Sequence, residues 1–293
     1  MAKSWGQNHE EISLSDSTPT VLPVGMPIEV ATPIRILDQE EFHALNRRVM
    51  AIVFDIHNEF GRLLDEVLFK REIAARCEAA GIVPAQREVR VRVTHAGFCK
   101  DYFLDLLLCH GLLFEAKTAE TITPAHRAQG LNYLLLIGLQ HGTLVNLRPE
   151  RVQHEFISTQ LTPEKRRGFT VVDRGWCGEE DRSAQLKEKV VALLADWGAF
   201  LEIALYREAV THFLGGPEAV IQAIPVYSGQ RLLGHQRVHL LNPQTGFALT
   251  ALTGNRSKLE EHQRRFLRHT SLDALQWVNL NHHQIEFSTL RRA

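Results

Sequence analysis

The stretch Tyr102-Phe-Leu-Asp-Leu-Leu-Leu-Cys-His-Gly-Leu-Leu-Phe-Glu-Ala-Lys117 decides the fold. Its apolar runs, Tyr102 to Cys109 and Leu112 to Lys117, read as neighbouring strands about a His110-Gly111 turn. Runs this apolar belong at the centre of a sheet. Three charges interrupt them: Asp105, Glu115 and Lys117. Glu115 and Lys117 are two apart and share a strand face, and a hairpin brings Asp105 beside them. Charges inside such strands are expensive unless paired or metal-bound. Two hard carboxylate ligands suit a Mg²⁺ that keeps several waters. The lysine can orient or help deprotonate one of those waters. Taken alone, Asp-x9-Glu-x-Lys also fits a solvated salt-bridge cluster.

Working outward, Val89, Val91 and Val93 alternate with Arg90 and Arg92, the pattern of a half-buried strand. Two helices precede it. The first starts at Asp38, carries Leu45, Val49, Ile52, Val53, Ile56 and Phe60 inward, and stops at Gly61. The second runs from about Leu64 to Ala80 with Val67, Leu68, Ile73 and Cys77 inward. Downstream, Pro124 opens a helix bearing His126, Gln129 and Tyr133. Strands follow at Thr143 to Leu147 and Gln153 to Ser158. That order predicts an α/β domain over 36–160, a sheet flanked by helices. Residues 1–35 are rich in Ser, Thr and Pro without periodicity and read as a flexible tail. Residues 161–183, with Lys165-Arg166-Arg167 and three glycines, read as a linker with some local structure.

Composition narrows the function classes. With 293 residues, 44% hydrophobic, the chain is long enough for about two domains. Lys plus Arg is 33 and Asp plus Glu is 34, which excludes a strongly basic nucleic-acid coat protein and an acidic disordered tail protein. None of the four cysteines forms a CxxC pair, so neither a structural zinc site nor a disulfide framework is expected. The N-terminus lacks the apolar core of a signal peptide, and the longest apolar stretch, Leu131 to Leu139, is broken by Asn132 and Gly138. It falls far short of the ~20 residues that span a bilayer. The expectation is a cytoplasmic protein without a membrane partner.

The second half, 184–293, echoes the first. Glu66-Val-Leu-Phe-Lys-Arg-Glu72 has a counterpart in Glu202-Ile-Ala-Leu-Tyr-Arg-Glu208, and Gly111 to Thr118 one in Gly246 to Thr253. Tyr133-Leu134 and Asn146-Leu147 are matched by Phe266-Leu267 and Asn279-Leu280, and Glu155-Phe156 by Glu286-Phe287. Near-constant offsets predict a tandem duplication. On this alignment Asp105 falls on His239, Glu115 on Thr250, Lys117 on Leu252, Gln129 on His262 and Tyr133 on Phe266. Glu66 alone is kept, as Glu202. The second copy therefore reads as degenerate and without catalytic residues. It is also the more basic: 12 Lys or Arg against 9 Asp or Glu over 186–293, versus 14 against 16 over 36–160. Arg264, Arg265 and Arg268 cluster on one helix, a phosphate-binding face or simply a solvated one.

Asp105, Glu115 and Lys117 resemble the PD-(D/E)xK nuclease signature, and Gln129-Gly-Leu-Asn-Tyr133 resembles the QxxxY motif of its RecB-like members. More narrowly, the chain resembles the GxxExxY protein family. The segments that carry this are Ile56 to Gly61, Leu63-Leu-Asp-Glu66-Val-Leu-Phe69, His126 to Gln129 and Val145-Asn146-Leu147. Leu63 stands where the family name puts Gly, and Phe69 where it puts Tyr. The resemblance implies a restriction-endonuclease-like mixed sheet and Mg²⁺- or Mn²⁺-dependent cleavage of nucleic acid, DNA favoured over RNA. It makes Asp105 and Glu115 metal ligands and Lys117 the catalytic lysine. Glu66 would complete the acidic cluster, and Gln129 and Tyr133 would support the site or contact DNA. The competing reading is a non-catalytic nucleic-acid-binding or scaffold subunit of a defence or repair assembly, its second half docking a protein partner. No GxGxxG or GxxxxGK[ST] motif is present.

Overall fold

A computed structural model describes residues 27–178 and 181–292. The first half runs β1 (Ile28–Val30), α1 (Gln39–Phe60), α2 (Glu66–Ala79), β2 (Ala85–His95), β3 (Phe98–Leu108), β4 (Leu112–Lys117), α3 (Pro124–Ile137), β5 (His141–Asn146) and β6 (Gln153–Ser158). Its strands form one sheet in the order β1-β2-β3-β4-β5-β6. Only β4 and β5 are parallel, with α3 as the crossover between them. Helix α1 starts where a capping box allows: the Glu41 N–H donates to Asp38 at 2.8 Å and the Asp38 N–H donates back to Glu41. Pro124 at the first turn and Thr123 at the N-cap start α3, and Gly138 in the left-handed region ends it. A Cβ on Gly130 would lie 2.4 Å from Ile157, so α3 lies directly on β6 only because this residue is glycine.

Part of the expected tail is ordered into the sheet. Ile28 to Val30 pair antiparallel with Val91 to Val93 as an edge strand. Three residues are too few to show a period. The remainder of that expectation, residues 1–26, lies outside the described residues. Helix α2 is rotated from its expected face. Val67 and Leu68 are about two-fifths exposed, whereas Phe69, Lys70, Ile73, Ala74 and Cys77 are buried. Phe60 of α1 is likewise exposed.

The stretch expected as a linker holds α4 (Pro163–Arg167) and β7 (Thr170–Gly175), and β7 joins the edge of a second sheet parallel to β12. The second half continues α5 (Asp181–Trp197), α6 (Ile203–Phe213), α7 (Pro217–Val220), β8 (Ile221–Ser228), β9 (Arg231–Asn242), β10 (Thr245–Thr250), α8 (Arg256–Arg268), β11 (Ala274–Asn281) and β12 (Gln284–Arg291). Strand order is β7-β12-β11-β10-β9-β8, again with the β10–β11 pair parallel across a helical crossover. Apart from the edge strands, order and direction repeat those of the first sheet.

A shared detail fixes the correspondence. Asn146, on β5, donates to the Ala119 carbonyl at 2.7 Å and accepts from the Ala119 N–H at 3.1 Å. Asn279, on β11, does the same to Leu252 at 3.0 and 2.8 Å. Asn146 lies opposite Lys117 and Gln153; Asn279 lies opposite Thr250 and Glu286. A single shift of 133 positions relates the two sets. Under it Asp105, Glu115 and Lys117 correspond to Val238, Ala248 and Thr250, not to the His239, Thr250 and Leu252 expected from sequence. The conclusion that the second sheet lacks these charges stands.

The two halves share one core. Helices α1 and α2 cover one face of the first sheet with Phe42, Val49, Val53, Ile56, Phe69 and Ile73. On its other face α3 covers β5 and β6. Val89, Val91, Val93 and Leu104, further along that face, lie in one apolar cluster with Leu193, Trp197, Leu205 and Ala209 of α5 and α6. The same cluster reaches Phe247, Leu249 and Phe287 of the second sheet, and α8 closes that sheet's far side through Leu267. Polar contacts lock the joint: the Trp197 indole N–H donates to the Thr94 carbonyl at 2.8 Å, and the Glu202 N–H donates to Asn132 at 3.0 Å.

Candidate functional site

Strands β3 and β4 pair over only three positions, Leu106–Phe114 to Leu108–Leu112, and then splay. Asp105 and Glu115 stand where the ladder stops. Their side chains take over the hydrogen bonding that strand pairing abandons. Glu115 accepts from the Asp105 backbone N–H at 3.2 Å, and Asp105 accepts from the Ala116 N–H at 3.1 Å. The neighbouring position on β2 is irregular too: Glu88 has φ of 50° and drops out of the β2–β3 ladder. The break turns Asp105 toward the helices, and it lies buried beneath α2.

Lys117 completes the group. Its ammonium lies 3.3 Å from Asp105 Oδ2 and 3.5 Å from Glu115 Oε2. Burial pulls this ammonium toward neutrality, but Asp105 and Glu115, with Glu66 behind them, outweigh it and raise its pKa. Glu115 is 1% exposed. Burial, then repulsion from Asp105, pushes its carboxyl up to about 8 despite Lys117. The site is therefore short of positive charge.

Glu66 stands at the start of α2, a third exposed, and touches the cluster through Lys70, whose Nζ is 3.8 Å away. Gln129 and Tyr133 lie one turn apart on α3, the Gln129 amide donating to the Tyr133 hydroxyl at 3.1 Å. The Tyr133 ring packs edge-on against Tyr102 at 6.2 Å. Burial first, then the Glu115 carboxylate, raises the Tyr133 hydroxyl pKa. The structure thus brings Asp105, Glu115 and Lys117 into direct contact. It sets Glu66 at the rim, and places Gln129 and Tyr133 on the helix packed behind the sheet.

Two participants, Lys70 and Glu88, escape sequence reasoning. Lys70, 8% exposed, donates to Asp105 at 2.9 Å and to Glu88 at 2.6 Å. Burial lowers its pKa, but the bonds to Glu88 and Asp105 more than reverse that and hold it charged. The available signal was its spacing of four from Glu66, which puts both on one face of α2. Glu202, aligned by sequence with Glu66, has a different position. It stands at the N-cap position of α6, and its side chain accepts from the Tyr102 hydroxyl at 2.6 Å and from Lys100 at 3.2 Å, tying the halves together. Of the arginine cluster, Arg264 and Arg265 are exposed and paired with Glu260 and Glu261 along α8.

Among the described residues no group of three or more His, Cys, Asp or Glu side chains could hold a metal ion. Asp105 and Glu115 do fit a small hard cation. Their oxygens face one shared ammonium, both are buried, and the charge on Glu115 is under-compensated. Two carboxylates, with water and substrate oxygens completing the shell, is the usual Mg²⁺ arrangement.

A mixed sheet with one parallel crossover, flanked by helices and carrying its charges where two central strands splay, is a restriction-endonuclease-like fold. Residues 43–158 match the PD-(D/E)XK nuclease superfamily. No curated protein matches the chain. A solved structure titled "Crystal structure of SSO0001" aligns at 20% identity with a TM-score of 0.23, covering 39% of this chain and 66% of that one. No helix among the described residues is long and apolar enough to cross a membrane.

Proposed function

We propose that this protein is a metal-dependent nuclease that hydrolyses phosphodiester bonds, with DNA the favoured substrate over RNA. The observation that carries the reading is the direct convergence of Asp105, Glu115 and Lys117 at the splayed strands, inside the matched segment. Asp105 and Glu115 would hold a Mg²⁺ or Mn²⁺, which when bound supplies an acidified water and neutralises phosphoryl charge. Lys117 orients the attacking water and offsets charge on the phosphate. Tyr133, held by Gln129, walls the buried side of the site, and Glu66 sets the position of Lys70. The narrower assignment to the GxxExxY family rests on Glu66 and the segments around it. The second half is the degenerate, non-catalytic copy.

The test is incubation with single- and double-stranded DNA and RNA in Mg²⁺ or Mn²⁺, beside Asp105→Ala and Lys117→Ala. Cleavage by wild type alone, with a loss of at least about 10²-fold in the variants, is expected. Variants that cut like wild type would show the site is elsewhere. One observation favours the scaffold reading instead: the Lys70 ammonium, 2.9 Å from Asp105, competes with a cation for that carboxylate. Wild type inert on all four substrates, yet binding them, is the result that reading requires.

A further inference from the structure

Where the first half buries charges, the second half has a cavity. Val238 and Ala248, counterparts of Asp105 and Glu115, line a cavity of about 360 Å³, and Phe266, counterpart of Tyr133, closes one side. That volume lies at the small end of ligand pockets, which run from about 300 to 1,000 Å³. Loss of the carboxylates has thus left an apolar recess at the position equivalent to the candidate site.

Three polar groups at this recess lack hydrogen-bond partners among the described residues. Arg207, a half-buried residue, makes no side-chain hydrogen bond and no ion pair. His239 makes no side-chain hydrogen bond: its ring meets Phe247, centroids 5.2 Å apart, and burial, then repulsion from the neighbouring Arg207 charge, lowers its pKa. The Gln263 Oε1 is buried and unsatisfied. An unpaired guanidinium on a half-buried residue selects an anion. Apolar walls with two aromatic rings select a flat ring system. An unsatisfied amide oxygen selects a ring whose edge carries a hydrogen-bond donor. One common ligand class has all three features.

We propose that this cavity binds a nucleotide, its base in the apolar recess with its edge toward Gln263 and its phosphate at Arg207. The proposal stands apart from cleavage: it concerns the half without the carboxylates, and its test needs no metal. The nucleotide is either free or one unit of a single strand, and the experiment separates the two.

Isothermal titration of the full chain in EDTA would use a purine and a pyrimidine nucleoside monophosphate, the parent nucleosides, inorganic phosphate and a short single-stranded oligonucleotide. A nucleoside monophosphate is expected to bind one per chain, at least about tenfold more tightly than phosphate or nucleoside alone. Binding by the oligonucleotide but not by the monophosphates would assign the cavity to a strand and support the proposal. Arg207→Gln should weaken binding about tenfold, and Ala248→Phe, which fills the recess, should abolish it. Gln263→Ala, on a partly exposed helix position, provides a third readout if the filled variant misfolds. Absence of binding by every nucleotide probe, phosphate binding as tight as the monophosphate, or binding unchanged in Arg207→Gln and Gln263→Ala would overturn the assignment.

Discussion

Replacing Lys70 with Met removes one of two ammonium groups facing four carboxylates: Asp105, Glu115, Glu88 and Glu66. Breaking a buried ion pair by removing one partner costs about 3–5 kcal/mol, because the other charge is left stranded. Glu88 and Glu66 are 51% and 35% exposed along their side chains, so solvent screens them. Asp105 keeps Lys117 and the Ala116 N–H. The effect therefore falls at the low end, about 3 kcal/mol. At about 2–4 °C per kcal/mol, the metal-free variant should melt roughly 6–12 °C below wild type. The same change removes the residue that competes with a cation for Asp105. Mg²⁺ or Mn²⁺ should then raise the melting temperature of the variant more than that of wild type. Each tenfold gain in affinity adds about 1.4 kcal/mol at saturating metal. Differential scanning fluorimetry in EDTA and in either metal reads both effects. A variant that melts with wild type, or that gains no more than wild type from metal, would refute the balance of charges described for this site.

Other expectations follow from particular contacts. A carboxyl raised from 4.5 to about 8 by folding stabilises the metal-free protein fully below about pH 4.5, and that contribution is lost as pH rises through about 8. Metal-free wild type should therefore melt lower at about pH 8.5 than at about pH 6, and Glu115→Gln should flatten the difference in melting curves. Asn146→Ala and Asn279→Ala each strand a backbone N–H and carbonyl, and chemical denaturation should show similar losses of about 1–3 kcal/mol for the two. Markedly unequal losses would break the equivalence of the repeats. Trp197→Ala, at a side chain 1% exposed, should destabilise by about 3–5 kcal/mol and shift near-UV dichroism from both halves. Residues 1–160 expressed alone should bind a hydrophobic dye, because Val89, Val91, Val93 and Leu104 lose the cover of α5 and α6.

The legible parts of this sequence are those where chemistry contradicts its surroundings. Asp105 and Glu115 stand out because Leu-rich strands surround them. Lys70 does not, since Glu66 and Lys70 read as an ordinary surface pair on a helix and only the rotation of α2 buries the lysine. The likeness of strand order between the halves was readable, its register less so. The match of Gly111 with Gly246 is two positions too long, and that of Glu155 with Glu286 two too short, against the shift of 133 that the strand pairing sets. Both errors equal one strand period. A slip of two leaves every side chain on its original face, so the hydrophobic pattern cannot detect it. Edge strands β1 and β7 escaped because pairing partners, not their own composition, make them strands. The cavity of the second half was invisible for a related reason: it is defined by the small apolar side chains of Val238 and Ala248 rather than by any motif.

The shared core also governs the order in which the molecule can be completed during synthesis. Strand β6 ends at Ser158, but the helices that cover the bare face of β2 and β3 end only at Phe213. Fifty-five further residues must leave the ribosome. At about 5–20 residues per second, that apolar face waits roughly 3–11 s for its cover. During this interval the nascent first half presents a sticky surface to other chains and to chaperones. The second half would thus act, on every molecule made, as the first half's own delayed chaperone.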